Sequence, residues 1–362
     1  MKAPVLLKVG EPMVVEDVEL DEPHAGEVLV RMAASGVCHS CLHAADGSWG
    51  QVATPMVLGD EGAGIVERVG PGVGRLAAGD HVILSWAPTC GRCHFCVTGR
   101  PQLCEERAPH GFMLDGTTRM RLRGQDVYHY GSVATYGSYT VVPESCAVKI
   151  RPDMPLEEAA LIGCSVMTGA GAVMNTAGVR PGESLVVMGC GGVGLNAVQG
   201  GRLVNAQPLI AVDVADNKLE YARKLGATHT INARQEDVAA RVKELTGRGA
   251  DYAVVAVGST KAVEQAWTTL ARGGTCVVVG LPPRTERISI DPMTLVGPER
   301  KLIGSTYGSA SVFNDFPRMV ELYLSGKLKI DELISKRYAM DEANEAFRAL
   351  ASGELARGII VF

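Results

Sequence analysis

The stretch from Leu185 to Asp213, LVVMGCGGVGLNAVQGGRLVNAQPLIAVD, constrains this chain more than any other. An apolar run, Leu185 to Met188, opens into Gly189-Cys190-Gly191-Gly192-Val193-Gly194. A helix-compatible segment follows, then a second apolar strand, Leu209 to Val212, closed by Asp213. Strand, glycines, helix, strand and acid in that order form the G-x-G-x-x-G dinucleotide fingerprint in its full context. Gly189 permits the tight turn out of the strand. Gly191 lets backbone N–H groups approach a pyrophosphate at the helix N-terminus, and Gly194 lets helix and strand pack closely. Asp213 lies 19 residues after Gly194, where a carboxylate accepts hydrogen bonds from the hydroxyls of an adenosine ribose. A 2′-phosphate would meet this charge, so NAD is expected over NADP.

With 362 residues the chain exceeds what one core usually serves, and two domains are expected. A net charge of −5, with 46% hydrophobic and 21% charged residues, excludes a nucleic-acid footprint and gives no reason to seek anionic membranes. The acids Glu11, Glu16, Asp17, Glu19, Asp21 and Glu22 interrupt the N-terminal apolar runs, so no signal peptide is expected. No run is expected to reach the roughly 18 apolar residues that a membrane helix needs. Ten cysteines without a secretion signal point to metal or thiol chemistry in a reducing, cytoplasmic setting.

From Met1 to Val37 the pattern is short β: Val5 to Val9, Met13 to Val18 and Glu27 to Met32, separated by turn residues. An antiparallel, barrel-like β module is expected. Then Gly36-Val-Cys38-His39-Ser40-Cys41-Leu-His43 crowds two thiols, two imidazoles and a hydroxyl into six residues. Asp60 and Glu61, among glycines before a strand, alone read as a solvated turn. With Cys164, expected at the start of a Gly- and Ala-rich helix, the reading changes. Cys38, Asp60 and Cys164 offer three ligands from separate segments, the arrangement a catalytic metal with an open fourth position needs. Between them, Cys90, Cys93, Cys96 and Cys104 follow C-x2-C-x2-C-x7-C and supply four thiolates for one closed tetrahedral zinc site in a lobe spanning 90–104. An iron–sulfur site has somewhat similar spacing and is the competing reading.

These residues carry a resemblance: over essentially its whole length the chain resembles the zinc-dependent medium-chain alcohol dehydrogenases. The resemblance implies an α/β protein in which a Rossmann doubly wound parallel-sheet cofactor domain is inserted in a mainly β, barrel-like (GroES-like) catalytic domain. The expected boundaries are 1–165, 166–306 and a return to the catalytic domain over 307–362. It implies two zincs per subunit, the catalytic one on Cys38 and Cys164, the structural one on the four-cysteine lobe. It places Glu61 behind the metal, and Ser40 and His43 in a proton relay. It sets His39 and Arg357 at the cofactor phosphates, Lys218 beside the ribose-binding Asp213, and Thr168, Gly192 and Val193 among the cofactor-binding residues. Trp49, Trp86 and Tyr130 match walls of a narrow, flat-sided pocket suited to small or planar primary alcohols and their aldehydes, aromatic ones included.

Two positions depart from the family pattern. Where it reads Gly-His-Glu this chain has Gly59-Asp60-Glu61, so the third ligand is a carboxylate. Where it has an aspartate that accepts from the ligand histidine, this chain has Cys41. Without an imidazole N–H, such an acceptor has no donor to orient, and two adjacent carboxylates would repel. Two thiolates and a carboxylate make a weaker Lewis acid of the metal, so alcohol oxidation is expected to peak at more alkaline pH than is usual for the family. Cys41 as a further ligand stays open.

After Asp213, helix and strand alternate: helices at Lys218 to Leu225, Glu236 to Thr246 and Thr260 to Ala271, strands at Thr228 to Ile231, Tyr252 to Val257 and Thr275 to Gly280. Five or six parallel strands are expected. Further amphipathic helices fall at Val312 to Ser325 and Asp341 to Ser352, and Glu105 to Tyr136 reads as a long polar loop. His24, His81, His94, His110, His129 and His229 lack a partner motif and read as surface or core residues. The expectation is an NAD-dependent alcohol dehydrogenase with a small-molecule substrate, no nucleic-acid or membrane partner, and a homodimeric or tetrameric state. The alternatives are a metal-free NAD(P)H-dependent carbonyl or ene reductase, because Asp60 replaces the histidine ligand, and a nucleotide-binding regulatory protein.

Overall fold

The computed structural model describes residues 1–108, 110–353 and 356–362. The chain divides into two compact units. The first comprises Met1–Cys164, Ser311–Gly326 and Ile330–Phe362, the second Ser165–Ala310 and Lys327–Lys329.

The first unit is mainly β. One sheet runs Val14–Asp17, Lys2–Leu6, Met56–Val57, Gln125–His129, Met120–Leu122, Glu19–Leu20. The other runs Ala147–Lys149, His81–Ser85, Glu61–Val69, Glu27–Gly36, Arg357–Val361, Ile334–Tyr338, with Tyr139–Pro143 also paired to Glu27–Gly36. Most pairs are antiparallel, as expected, but Met56–Val57 with Gln125–His129 and Ile334–Tyr338 with Arg357–Val361 are parallel. The first strand ends at Leu6 rather than Val9. The 105–136 stretch is no plain loop: Arg123 (φ 53°) and Gly124 (φ 79°) turn Met120–Leu122 back onto Gln125–His129, the two positive φ values a tight hairpin needs. Pro109, within it, lies outside the described residues. Arg119, 1% exposed, anchors the stretch by donating to both carboxylate oxygens of Glu27 at 2.9 and 2.6 Å and to Asp115 at 2.6 Å.

The second unit is a six-stranded parallel sheet in the order His229–Asn232, Leu209–Asp213, Leu185–Met188, Ala250–Val255, Leu270–Val278, Lys301–Gly304. This is the doubly wound order, and the fingerprint strand sits where the order reverses, the switch point at which such sheets bind ligands. Strands rich in Val, Ile, Leu and Ala are buried on both faces, as all-parallel sheets require. The unit ends at Ala310 rather than near residue 306. The chain touches it again at Lys327–Lys329, because buried Gln199 donates to the Lys329 carbonyl (3.2 Å) and accepts from its N–H (2.7 Å).

Helical structure is continuous over Leu156–Ala177. By length and composition alone it could cross a membrane, which corrects the expectation that no run suffices, but 72% of it is buried inside the protein. It is a core helix.

His129 is fully buried, and its Nε2 accepts from the Arg119 N–H at 3.1 Å. Burial, reinforced by Arg119, pushes its pKa down to about 3 from 6.5. The unfolded chain therefore takes up this proton below pH 6.5 and the folded chain does not, so stability is highest above 6.5 and falls as pH drops toward 3, by at most about 1.4 kcal/mol per unit. Denaturant titrations should show the wild type losing roughly 1–2 kcal/mol more than His129→Gln between pH 6.5 and pH 5. Equal losses would contradict this assignment.

Candidate functional site

In the first unit, three strand ends meet. Glu27–Gly36 finishes where Glu61–Val69 and Arg357–Val361 begin, with Ser35 opposite Gly62 and Gly36 opposite Ile359. The residues just past these ends are the chemically loaded ones. Val37 N–H donates to the Gly358 carbonyl at 3.0 Å, so the chain leaves the sheet on a fixed course into Cys38, the N-cap of the helix His39–Asp46. On the neighbouring segment the Gly59 carbonyl accepts from Thr135 N–H and the Leu58 carbonyl from Tyr136 N–H. Gly59, at φ +103°, has no room for a Cβ against Thr135 and Tyr136. Asp60 is thereby held against Cys38.

Cys164 comes from the long helix. It lies within it, in the π-wound turn Ile162–Val166, not at a helix start as expected. Such π turns recur at functional sites. A Cβ on Gly163 would stand 2.8 Å from the Leu84 carbonyl, so only glycine lets the helix approach this closely.

The Cys38 and Cys164 sulfurs and an Asp60 oxygen all lie within 4.8 Å of one another, at 8%, 9% and 5% exposure. The Cys164 S–H bond to the Cys38 sulfur is the main cause that pulls Cys38 down to about 5, helped by Arg357, and it holds Cys164 well above its ordinary value. Burial, then the Cys38 thiolate, pushes Asp60 up to about 7. Three such donors cannot all be anionic in so small a buried volume unless a cation joins them. The donor set thus fits a zinc ion, which takes thiolate and carboxylate ligands and leaves a fourth position open.

Arg357 is not that cation. Its guanidinium, 3% exposed, donates to the fully buried Glu61 carboxylate. The resemblance implies a place at the cofactor phosphates; in this structure the guanidinium is paired with Glu61 behind the ligands. The two residues are 296 apart in sequence, and no motif links them. A Cβ on Gly36 would lie 2.5 Å from the Glu61 carboxylate, so the end of that strand is cut to this pair.

Ser40 donates to Asp60 Oδ2 and the Cys41 thiol to Asp60 Oδ1 at 3.5 Å. His43 is half-buried, its ring 5.0 Å from that of Trp49 and its Nδ1 3.9 Å from Asp46. His39 is exposed at the helix start, 6.0 Å from the His43 ring. Trp86 and Tyr130 pack against the apolar cluster that contains Cys38, Cys41 and Cys164; Trp49 meets His43.

The Cys90, Cys93, Cys96 and Cys104 sulfurs also gather within 4.8 Å. The Cys90–Cys96 and Cys93–Cys104 separations are both 3.9 Å, close to the ~3.8 Å edge of a tetrahedron with 2.3 Å Zn–S bonds. N–H groups of Arg92 and Cys93 donate to the Cys90 sulfur and that of Cys90 to Cys104. With four sulfurs around one point, no position is left for substrate.

In the second unit each fingerprint glycine has its own reason. Gly189 turns at φ +89°, with Val257 2.9 Å from where a Cβ would be. Gly194 would drive a Cβ to 1.7 Å from the Gly189 carbonyl. Gly191, the N-cap of helix Gly192–Leu203, faces open space. That leaves the N–H groups of Gly192 and Val193 at an accessible, positive helix end. Asp213 Oδ2 accepts from Cys190 N–H (2.7 Å) and Oδ1 from those of Val214 and Ala215 (2.7 and 3.0 Å). Lys218 lies in the helix Asp216–Leu225, close enough to Cys190 to influence its thiol. Thr168 precedes Gly169, whose missing side chain admits the Val193 carbonyl.

Two family models match the chain, an alcohol dehydrogenase GroES-like domain over residues 24–152 and a zinc-binding dehydrogenase domain over 192–325. An NDMA-dependent alcohol dehydrogenase of Amycolatopsis methanolica is 42% identical over 371 residues, covering 99% of this chain and 98% of that one. The chain belongs to the zinc-type medium-chain alcohol dehydrogenases. An S-(hydroxymethyl)glutathione dehydrogenase of Paracoccus denitrificans is 38% identical, covering 100% of this chain and 99% of that one. The crystal structure of benzyl alcohol dehydrogenase from Acinetobacter calcoaceticus superposes with a TM-score of 0.94 at 34% identity, covering 100% and 99% of the two chains. As an alcohol dehydrogenase this chain is an oxidoreductase with the GroES-like and Rossmann folds of the family.

Removing one partner of a buried ion pair strands the other charge. Glu61→Gln and Arg357→Gln should each cost this dehydrogenase about 3–5 kcal/mol in denaturant titrations, and the double variant clearly less than their sum. Additive losses would mean that the pair is not coupled.

Proposed function

We propose that this enzyme catalyses reversible hydride transfer between NAD and a primary alcohol or its aldehyde, aromatic ones included, with one catalytic and one structural zinc per subunit. The observation that carries the reading is the convergence of Cys38, Asp60 and Cys164 in a buried, charge-compressed cluster. Cys38, Asp60 and Cys164 would hold the zinc, which would supply polarisation of the substrate oxygen, and the nicotinamide would supply the hydride acceptor. The protein's own groups do the rest. Ser40 sits beside the ligand cluster, where its hydroxyl reaches the alcohol proton, and half-buried His43 stands one helical turn on to carry that proton toward solvent. Trp86 and Tyr130 give the substrate flat apolar walls, as suits a planar alcohol like that in the name of the benzyl alcohol dehydrogenase it resembles. In the second unit, Asp213, Lys218, Thr168 and the helix end at Gly191 to Gly194 would hold the cofactor. Asp213, pinned by three backbone N–H groups, disfavours a 2′-phosphate.

A homodimer is the assembly we propose. Lys301–Gly304 is an edge strand, and Leu281, Met293 and Val296 are exposed apolar side chains at 63%, 76% and 71%, of the kind that a second copy covers. All ten cysteines are free, in keeping with a reducing, cytoplasmic location.

Benzyl alcohol with NAD⁺ or NADP⁺ tests the reading. NAD⁺ should be preferred, and Cys38→Ser should take zinc from two per subunit to one. The extra negative charge of Asp60 acidifies the alcohol less than a neutral imidazole would, so Asp60→His should move the pH optimum of oxidation down by about one unit. No alcohol turnover, one zinc in both proteins and reduction of enones or aldehydes with reduced cofactor would instead establish the metal-free reductase.

A further inference from the structure

The catalytic-site reading rests on Asp60 as a ligand, and a carboxylate has two oxygens and a freely turning plane. In this structure both oxygens are spoken for: Oδ2 accepts from the Ser40 hydroxyl and Oδ1 from the Cys41 thiol at 3.5 Å. Cys41 is fully buried, one turn along the helix His39–Asp46 from its N-cap Cys38. To an ionised carboxylate, as a metal ligand must be, a sulfur at this distance is joined as an S–H donor. At this site the ligand atoms within 4.8 Å of one another are those of Cys38, Asp60 and Cys164, and Cys41 stands outside that group.

We propose that Cys41 is the positioning residue for the Asp60 ligand, donating its S–H to one carboxylate oxygen so that, with Ser40 on the other, the carboxylate plane is fixed toward the metal. This inference rests on the reading that Cys38, Asp60 and Cys164 hold zinc. Its logic is one of polarity. A histidine ligand carries a spare N–H and needs an acceptor behind it; a carboxylate ligand carries spare lone pairs and needs a donor. Position 60 and position 41 are therefore a matched donor–acceptor pair that can be reversed only as a pair. Asp60→His alone presents an imidazole N–H to a poor sulfur acceptor. Cys41→Asp alone sets two carboxylates against each other in a buried site. Changing both restores a complete hydrogen bond with the opposite polarity.

The test is zinc affinity of the holoenzyme, by competition with a chromophoric chelator, supported by the visible spectrum of the cobalt-substituted protein. The proteins are wild type, Asp60→His, Cys41→Asp, the double variant, Cys41→Ser and Cys41→Ala. Zinc retained in the four-cysteine lobe reports that each variant is folded. Loss of an outer partner costs about 10–100-fold in metal affinity. Each swap alone and Cys41→Ala should show such a loss at the catalytic site, with an altered cobalt spectrum. Cys41→Ser, which keeps a donor, should stay near the wild type, and the double variant should recover most of the loss. If wild type holds two zincs but the single losses simply add in the double variant, or Cys41→Ala binds as wild type, the positioning role is overturned while the metal reading stands. A wild type with zinc only in the lobe overturns both.

Discussion

Burial of like charge is the constraint on which the candidate site depends. Two sulfurs and a carboxylate oxygen are packed within 4.8 Å at less than a tenth of their exposed surface, and the buried cation Arg357, which acts on Cys38 and Asp60, is committed to Glu61. Without a cation Cys38 alone ionises easily, while burial and the Cys38 thiolate push Asp60 up to about 7 and the bond to Cys38 holds Cys164 well above its usual range. A divalent cation changes this: the ligands ionise, and the remaining Glu61–Arg357 pair stays neutral as a unit. The strand ends, the cut-away glycines at 36, 59 and 163 and the π-wound turn at Cys164 all serve to hold this otherwise unfavourable cluster together.

The second unit solves a different electrostatic problem with backbone alone. The accessible start of helix Gly192–Leu203 lies at the reversal point of the parallel sheet, where its N–H groups favour an anion. The acid that would meet the ribose is fixed by three backbone N–H groups rather than by side chains. The accessible helix end follows from the order of the strands and the absence of three side chains, which explains why it is so well marked in the chain itself.

Features carried by local spacing were therefore legible in the sequence. The fingerprint and the four-cysteine lobe each lie within one continuous segment, and the alternating helices and strands after Asp213 fall within a few residues of their expected limits. What spacing does not encode was harder to read. The Glu61–Arg357 pair joins residues 296 apart that no motif links. Cys164 looked like a helix start because glycines surround it, whereas those glycines allow close packing inside a continuous helix. The hairpin at Arg123-Gly124 hid in a polar stretch because its buried anchor is an arginine, Arg119, satisfied by Glu27 from far along the chain. Cys41 is visible as a departure, but its partner, Asp60 Oδ1, is brought to it only by the fold.

The central claim is that zinc occupies a site of two thiolates and a carboxylate, with no histidine. Zinc K-edge absorption spectroscopy of the purified enzyme tests it most directly. Averaged over a four-sulfur and a two-sulfur site, the spectrum should give about three sulfurs and one oxygen per zinc without the outer-shell scattering of imidazole. Four sulfurs per zinc, or clear imidazole scattering, would contradict it.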